Sequence, residues 1–210
     1  MSGARRRLPG LEGWILVLWA ALAVGGMTAA ILAARGADLD GVRAGLRATA
    51  RTSLVLFLAA MAASSLRRLW PVPLTAWLLR NRRYLGVSFA ASHAIHLALI
   101  ASLVPVTPER FTDDPAGLIP GATAYLFVLL LTVTSFDRVA DRLGRAWWKR
   151  LHLAGCWWIW VVFAGNYTSK IARGPGFAAA ALALWAVAAL RLWRWTATRG
   201  RSRRPPRAGS

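Results

Sequence analysis

Six apolar stretches within 210 residues leave this chain little choice of fold. They cover 14–34, 52–66, 84–104, 118–136, 151–167 and 176–190, and most approach the ~20 residues a helix needs to cross a bilayer core. In hydrocarbon every backbone N–H and C=O must find a partner inside the protein, so runs of this length span as helices. Only short connections separate them. The expected architecture is therefore an all-α integral membrane protein, a six-helix bundle over 14–195, with a basic N-terminus at 1–13 and a disordered basic tail at 196–210. Hydrophobic residues make up 57% of the chain, above the ~45–50% of an ordinary soluble domain.

The formal net charge is +19, which in a soluble protein would suggest a nucleic-acid partner. Its distribution argues otherwise. Six spans sort the loops into two groups. Twenty of the 27 Lys and Arg fall in the N-terminus (Arg5, Arg6, Arg7), the second loop (Arg67, Arg68, Arg80, Arg82, Arg83), the fourth loop (Arg138 to Arg150) and the tail. Seven fall on the other side: Arg35, Arg43, Arg47, Arg51, Arg110, Lys170 and Arg173. The side richer in Lys and Arg is the cytoplasmic one, so both termini are expected inside. The tail sequence RGRSRRPPR reads as an anchor for anionic headgroups, and membrane lipids rather than nucleic acid are the expected partners. The first apolar run is 21 residues long, beyond the ~7–15 of a signal peptide's apolar region, so it is expected to stay as the first span.

Tryptophan is used twelve times. Trp14, Trp70, Trp77, Trp147, Trp148, Trp193 and Trp195 fall near the inner ends of spans, as an interfacial belt does. Pro71 and Pro73 close the second span and open an interfacial piece, TAWLLRNRRY. A single cysteine, Cys156, allows neither a disulfide framework nor a cysteine metal cluster within the chain.

Ionisable side chains at membrane depth are costly and mark function. The predicted spans hold no Asp or Glu, which argues against a proton- or cation-coupled transporter. They hold all three histidines: His93 and His96 in the third span, His152 at the start of the fifth. Neutral imidazole is the commonest metal ligand, and histidines on facing helices hold haem iron. The alternative use of each is a hydrogen bond between packed helices.

Two stretches resemble ferric reductase-like transmembrane domains. One is RRYLG at 82–86 with His96 ten residues beyond it; the other is LTVTSFDRVADRLGRAWWKRLHLAG at 131–155, with Thr134, Ser135, Leu143, Gly144, Leu151 and His152. The arginine pair before Leu-Gly resembles the branch formed by the haem-binding membrane subunits of methionine-sulfoxide reductase systems. The resemblance covers roughly 50–170. It implies a six-helix haem b protein of a bacterial inner membrane, an electron-transfer subunit of an oxidoreductase, with His96 and His152 as axial ligands to the iron and His93 outside the pattern. It also implies that electrons come from a soluble oxidoreductase or a quinol, because the chain has no dedicated FAD, FMN or nicotinamide domain, and that they leave to an outer partner. The family carries a further histidine late in the fifth helix, where this chain reads Gly165-Asn166; Arg83 stands where the oxidases have a histidine. A haem-free member acting as a membrane scaffold is the other reading.

Depth sets a separate expectation. Counting from Arg83 at ~1.5 Å per residue, His96 lies roughly 18–20 Å into the membrane, His93 about 4.5 Å shallower, and His152 only ~3–8 Å deep. By that count His93 matches His152 better than His96 does. The charge asymmetry gives a direct test: reporter fusions at Ser210 and at Asp113 are expected on opposite faces of the membrane, with Ser210 inside. An external Ser210 would overturn the six-span topology.

Overall fold

The computed structural model describes residues 9–202. A short 3-10 turn, Pro9–Leu11, precedes nine α-helices: α1 Trp14–Arg35, α2 Leu39–Leu69, α3 Pro73–Arg80, α4 Arg82–Leu103, α5 Glu109–Thr112, α6 Pro115–Val133, α7 Asp137–Leu143, α8 Arg145–Thr168 and α9 Pro175–Ser202. A second 3-10 turn, Ile171–Arg173, links α8 to α9. Among the described residues there is no strand. Arg5, Arg6, Arg7, Arg203, Arg204 and Arg207 lie outside the described residues.

Five helices are long and apolar enough to cross a membrane: α1, α2, α4, α6 and α9. α8 has the length, 24 residues, but its opening turns carry Arg145, Lys149 and Arg150, and its body includes His152 and Asn166. The long helices alternate in direction, so the start of α1, the end of α2, the start of α4, the end of α6 and the start of α8 share one end of the bundle, here the near end. Contacts there fix the arrangement: the Gly13 N–H donates to Asn81 Oδ1 at 3.0 Å, Trp14 stacks on Phe136, and Arg83 pairs with Asp137 at 2.6 Å. The predicted interfacial piece is α3, whose Trp77 indole N–H donates to the Leu11 carbonyl at 3.0 Å. α9 continues past the predicted end of the sixth span at 190, as far as Ser202.

The boundary that moves most is that of α2. The sequence reading starts the second span at Thr52; the helix starts at Leu39 and runs for 31 residues. Asp38 caps it by accepting the Gly41 N–H at 3.0 Å, which satisfies one of the free donors of a helix start. The reading failed because Arg43, Arg47 and Arg51 broke the apolar run. They recur every four residues, so they share one face, and that face borders a cavity.

The bundle core is built on Phe57, Met61, Phe89, Ile159, Phe163 and Leu184, all buried. α2 and α4 form its tightest pair through small residues. A Cβ on Gly45 would stand 3.1 Å from Leu99 Cδ1, and Ser53 and Ser92 share a buried hydrogen bond of 2.8 Å. Small residues let transmembrane backbones approach, and hydroxyls bond across the gap. Gly155 does the same between α8 and α6, with Phe127 and Leu131 within 3.0–3.2 Å of where its Cβ would be. The turn between α1 and α2 is tighter still, since a Cβ on Gly41 would fall 1.8 Å from the Gly36 carbonyl oxygen. Gly41→Ala is therefore expected to cost at least the ~1–3 kcal/mol of an overpacked core, read as a lowered thermal midpoint in detergent. Gly165→Ala, with nothing near its Cβ, is expected to leave the midpoint unchanged or raise it by a Gly-to-Ala helix gain of up to ~1 kcal/mol.

Candidate functional site

The three histidines line two cavities, not one. His93 and His96 line a cavity of about 820 Å³ toward the far end, together with Tyr125, Phe163, Asn166 and Tyr167. His152 lines a second, of about 460 Å³, toward the near end, together with Arg82, Arg83, Thr134, Trp148 and Cys156. Val128 and Ile159 border both and form the layer between them. His96 and His152 therefore share no cavity, and neither do His93 and His152. α4 does bring His93 and His96 together: they sit three residues apart on one face, with ring centroids 5.6 Å apart.

The hydrogen bonds define what each imidazole offers. Thr49 Oγ1 lies 2.8 Å from His96 Nδ1, and it also lies 2.8 Å from the Gly45 carbonyl, to which it donates. A hydroxyl has one proton. With that proton on Gly45, Thr49 accepts the Nδ1–H of His96, so Nε2 keeps its lone pair and is free of any protein hydrogen bond. This is the arrangement of a metal-binding histidine, whose second ring nitrogen is held by an outer partner.

His152 is held the other way round. Its Nε2 lies 3.1 Å from Thr134 Oγ1, and that hydroxyl donates to the Leu130 carbonyl at 2.6 Å, so the imidazole gives its Nε2–H to Thr134 and leaves only Nδ1. Trp148 stacks on the ring at 4.0 Å and donates its indole N–H to the Thr134 carbonyl at 2.9 Å. The tryptophan that the sequence places in a lipid belt also fixes His152. His93 packs among Phe89, Tyr125 and Phe163, and its Nδ1 is buried without a partner, as is the Tyr125 hydroxyl. An unpaired buried donor or acceptor costs about 1–3 kcal/mol, and two of them face one cavity.

Charge separates the cavities further. Arg43, Arg47, Arg51, Lys170 and Arg173 line the far cavity, and among the described residues no acid does. Arg47 and Arg51 have no ion pair among the described residues; Lys170 donates to Asn166 Oδ1. These arginines were assigned by sequence to an outer loop, and only their four-residue spacing hinted at a helical face. The far cavity thus combines unpaired imidazole nitrogens on His96 and His93, aromatic walls and a cationic rim. It suits a flat, largely apolar group that carries carboxylates, and its volume lies within the ~300–1,000 Å³ of ligand pockets. A haem meets that description with His96 as its one histidine ligand. The α8 wall facing His96 offers Phe163, Asn166 and Tyr167 and no second histidine, so a two-histidine site does not fit. In comparison with known proteins, the chain matches no family model, no curated protein and no solved structure.

Proposed function

We propose that this protein is a six-span, ferric reductase-like membrane haem b protein. In this reading it passes electrons between a separate donor on the side of its termini, a soluble reductase or a quinol, and a partner on the other side. The observation that carries the reading is the Thr49–Nδ1 bond, which leaves His96 Nε2 unprotonated in a cavity rimmed by arginines. α8 supplies the sixth crossing, since it lies against α6 and α9 over its length, and both termini lie in the cytoplasm by the charge asymmetry.

A bound haem would supply one-electron redox chemistry. The chain's own residues would ligate it, orient it and set its surroundings. His96 would bind it through Nε2, and Thr49 keeps the ring in place and holds the neutral imidazole in the tautomer protonated at Nδ1. Arg47 and Arg51 neutralise carboxylates, which are costly to bring into a low-dielectric site unpaired. Phe163, Tyr125 and Tyr167, which line the cavity, would exclude water from it. His152, fixed by Thr134 and Trp148, ties α8 to the end of α6.

A haem-free scaffold is the second reading, favoured by the lack of a histidine opposite His96. One absorption spectrum of the purified full-length chain separates the two, with a Soret band expected for the first. His96→Ala is expected to abolish the band and His152→Ala to retain it. Thr49→Val is expected to lower haem affinity by about 10–100-fold, as loss of an outer-shell partner does. A colourless wild-type protein, or a band that survives His96→Ala and is lost in His152→Ala, would overturn this assignment.

A further inference from the structure

The near cavity is not used by the proposed function, and its chemistry is that of an amphiphile's pocket. Its deep walls are apolar, with Phe57, Met61, Phe89 and Leu131. Its mouth carries Arg80, Arg82 and Arg83 against a single lining acid, Asp137, among the described residues. Two of these arginines already have acids: Arg80 pairs with Glu12 at 2.9 Å, and Arg83 with Asp137. Arg82 has no ion pair among the described residues, and Arg83 Nε is buried with no hydrogen-bond acceptor. α9 adds to the positive field, because Arg191 and Arg194 both lie within electrostatic reach of Arg82. Arg191 is itself anchored, donating to the Met61 carbonyl at 3.3 Å and lying over the Trp157 ring.

The mouth sits among the features of the headgroup layer: the short α3, its Trp77, and the charged starts of α4 and α8. An apolar bore that opens among arginines at this level excludes a soluble anion, which would leave the bore unfilled, and a neutral lipid, which would leave the arginines unpaired. Both halves are satisfied together by one molecule that is anionic at its head and hydrocarbon below.

We infer that the near cavity binds one anionic phospholipid, its phosphate held by Arg82 and Arg83 at the mouth, and one acyl chain lying between α2, α4 and α6. The site is independent of haem at His96. Gly86 provides the means to test the bore separately from the mouth. It lines the cavity, and nothing lies within 4 Å of where its Cβ would be, so a larger side chain there grows into the cavity without pushing on neighbours.

Native mass spectrometry of the full-length chain, released from nanodiscs of phosphatidylcholine doped with phosphatidylglycerol, reads the site directly. Wild type is expected to retain one phosphatidylglycerol per chain in preference to phosphatidylcholine, and excess inorganic phosphate is expected not to displace it. At about 1 kcal/mol per basic residue near a lipid phosphate, Arg82→Gln weakens retention about fivefold and R82Q with R83Q roughly 25-fold. Gly86→Leu removes the adduct while all three arginines remain, and its thermal midpoint reports that the fold is intact. Equal retention of phosphatidylcholine, displacement by inorganic phosphate, or an adduct unchanged in folded Gly86→Leu would each overturn the proposal.

Discussion

The polar seam between α2 and α4 is the contact on which the rest of the arrangement depends. Lipid tails are as apolar as leucine, so burial of hydrocarbon does not by itself draw two transmembrane helices together; close packing and hydrogen bonds do. Gly45 lets α4 approach to van der Waals contact with Leu99, and one turn further along α2 Thr49 meets His96. Ser53 meets Ser92 a turn beyond that. The three contacts follow the four-residue repeat of one helix face, so they fix both the register and the rotation of α4. Every residue that α4 offers to a cavity, from Arg82 through Gly86, His93 and His96 to Leu103, takes its position from that register.

Because α2 is held this way, its arginines are held too. Arg43, Arg47 and Arg51 lie about 160° round α2 from the seam positions by the ~100° per residue of a helix, and they line the far cavity beside Leu46 and Ala50, which carry the flank between. A charge that faces a cavity escapes the cost of one that faces hydrocarbon. The same geometry puts cations and a free imidazole nitrogen in one chamber. At the near end a second set of arginines meets a second chamber, and Val128 with Ile159 keeps the two apart. Two chambers of different chemistry in one small bundle follow from two arginine clusters on opposite ends of neighbouring helices.

His93, His96 and His152 show how far a histidine's identity is from its role. All three are half-buried, yet one has a nitrogen free for a ligand, one has Nδ1 buried without a partner, and one has Nε2 given to a threonine. Between His96 and His152 the difference lies in the hydroxyl each ring meets. Thr49 and Thr134 each donate their own proton to a carbonyl one turn back on their own helix, and each then accepts from imidazole. Which ring nitrogen is left over depends on which one reaches the threonine, and that depends on the rotation of the helix.

The linear chain was enough to determine the solvent and the class of fold: apolar runs of near-bilayer length have no other way to satisfy their backbone than as packed helices. The short α3 was legible from Pro71 and Pro73 at its start, and the histidines stood out because no Asp, Glu, Lys or Arg occupied the predicted spans. The length of α2 was not legible, because hydropathy counts an arginine as a break whether it meets lipid or a cavity. The separation of His152 from His93 and His96 was not legible either. Counting residues along each helix gives a depth, but which side of Val128 and Ile159 a ring falls on is set by how α4, α6 and α8 rotate against one another. That rotation comes from contacts between residues far apart in the chain, and only the tertiary structure decides it.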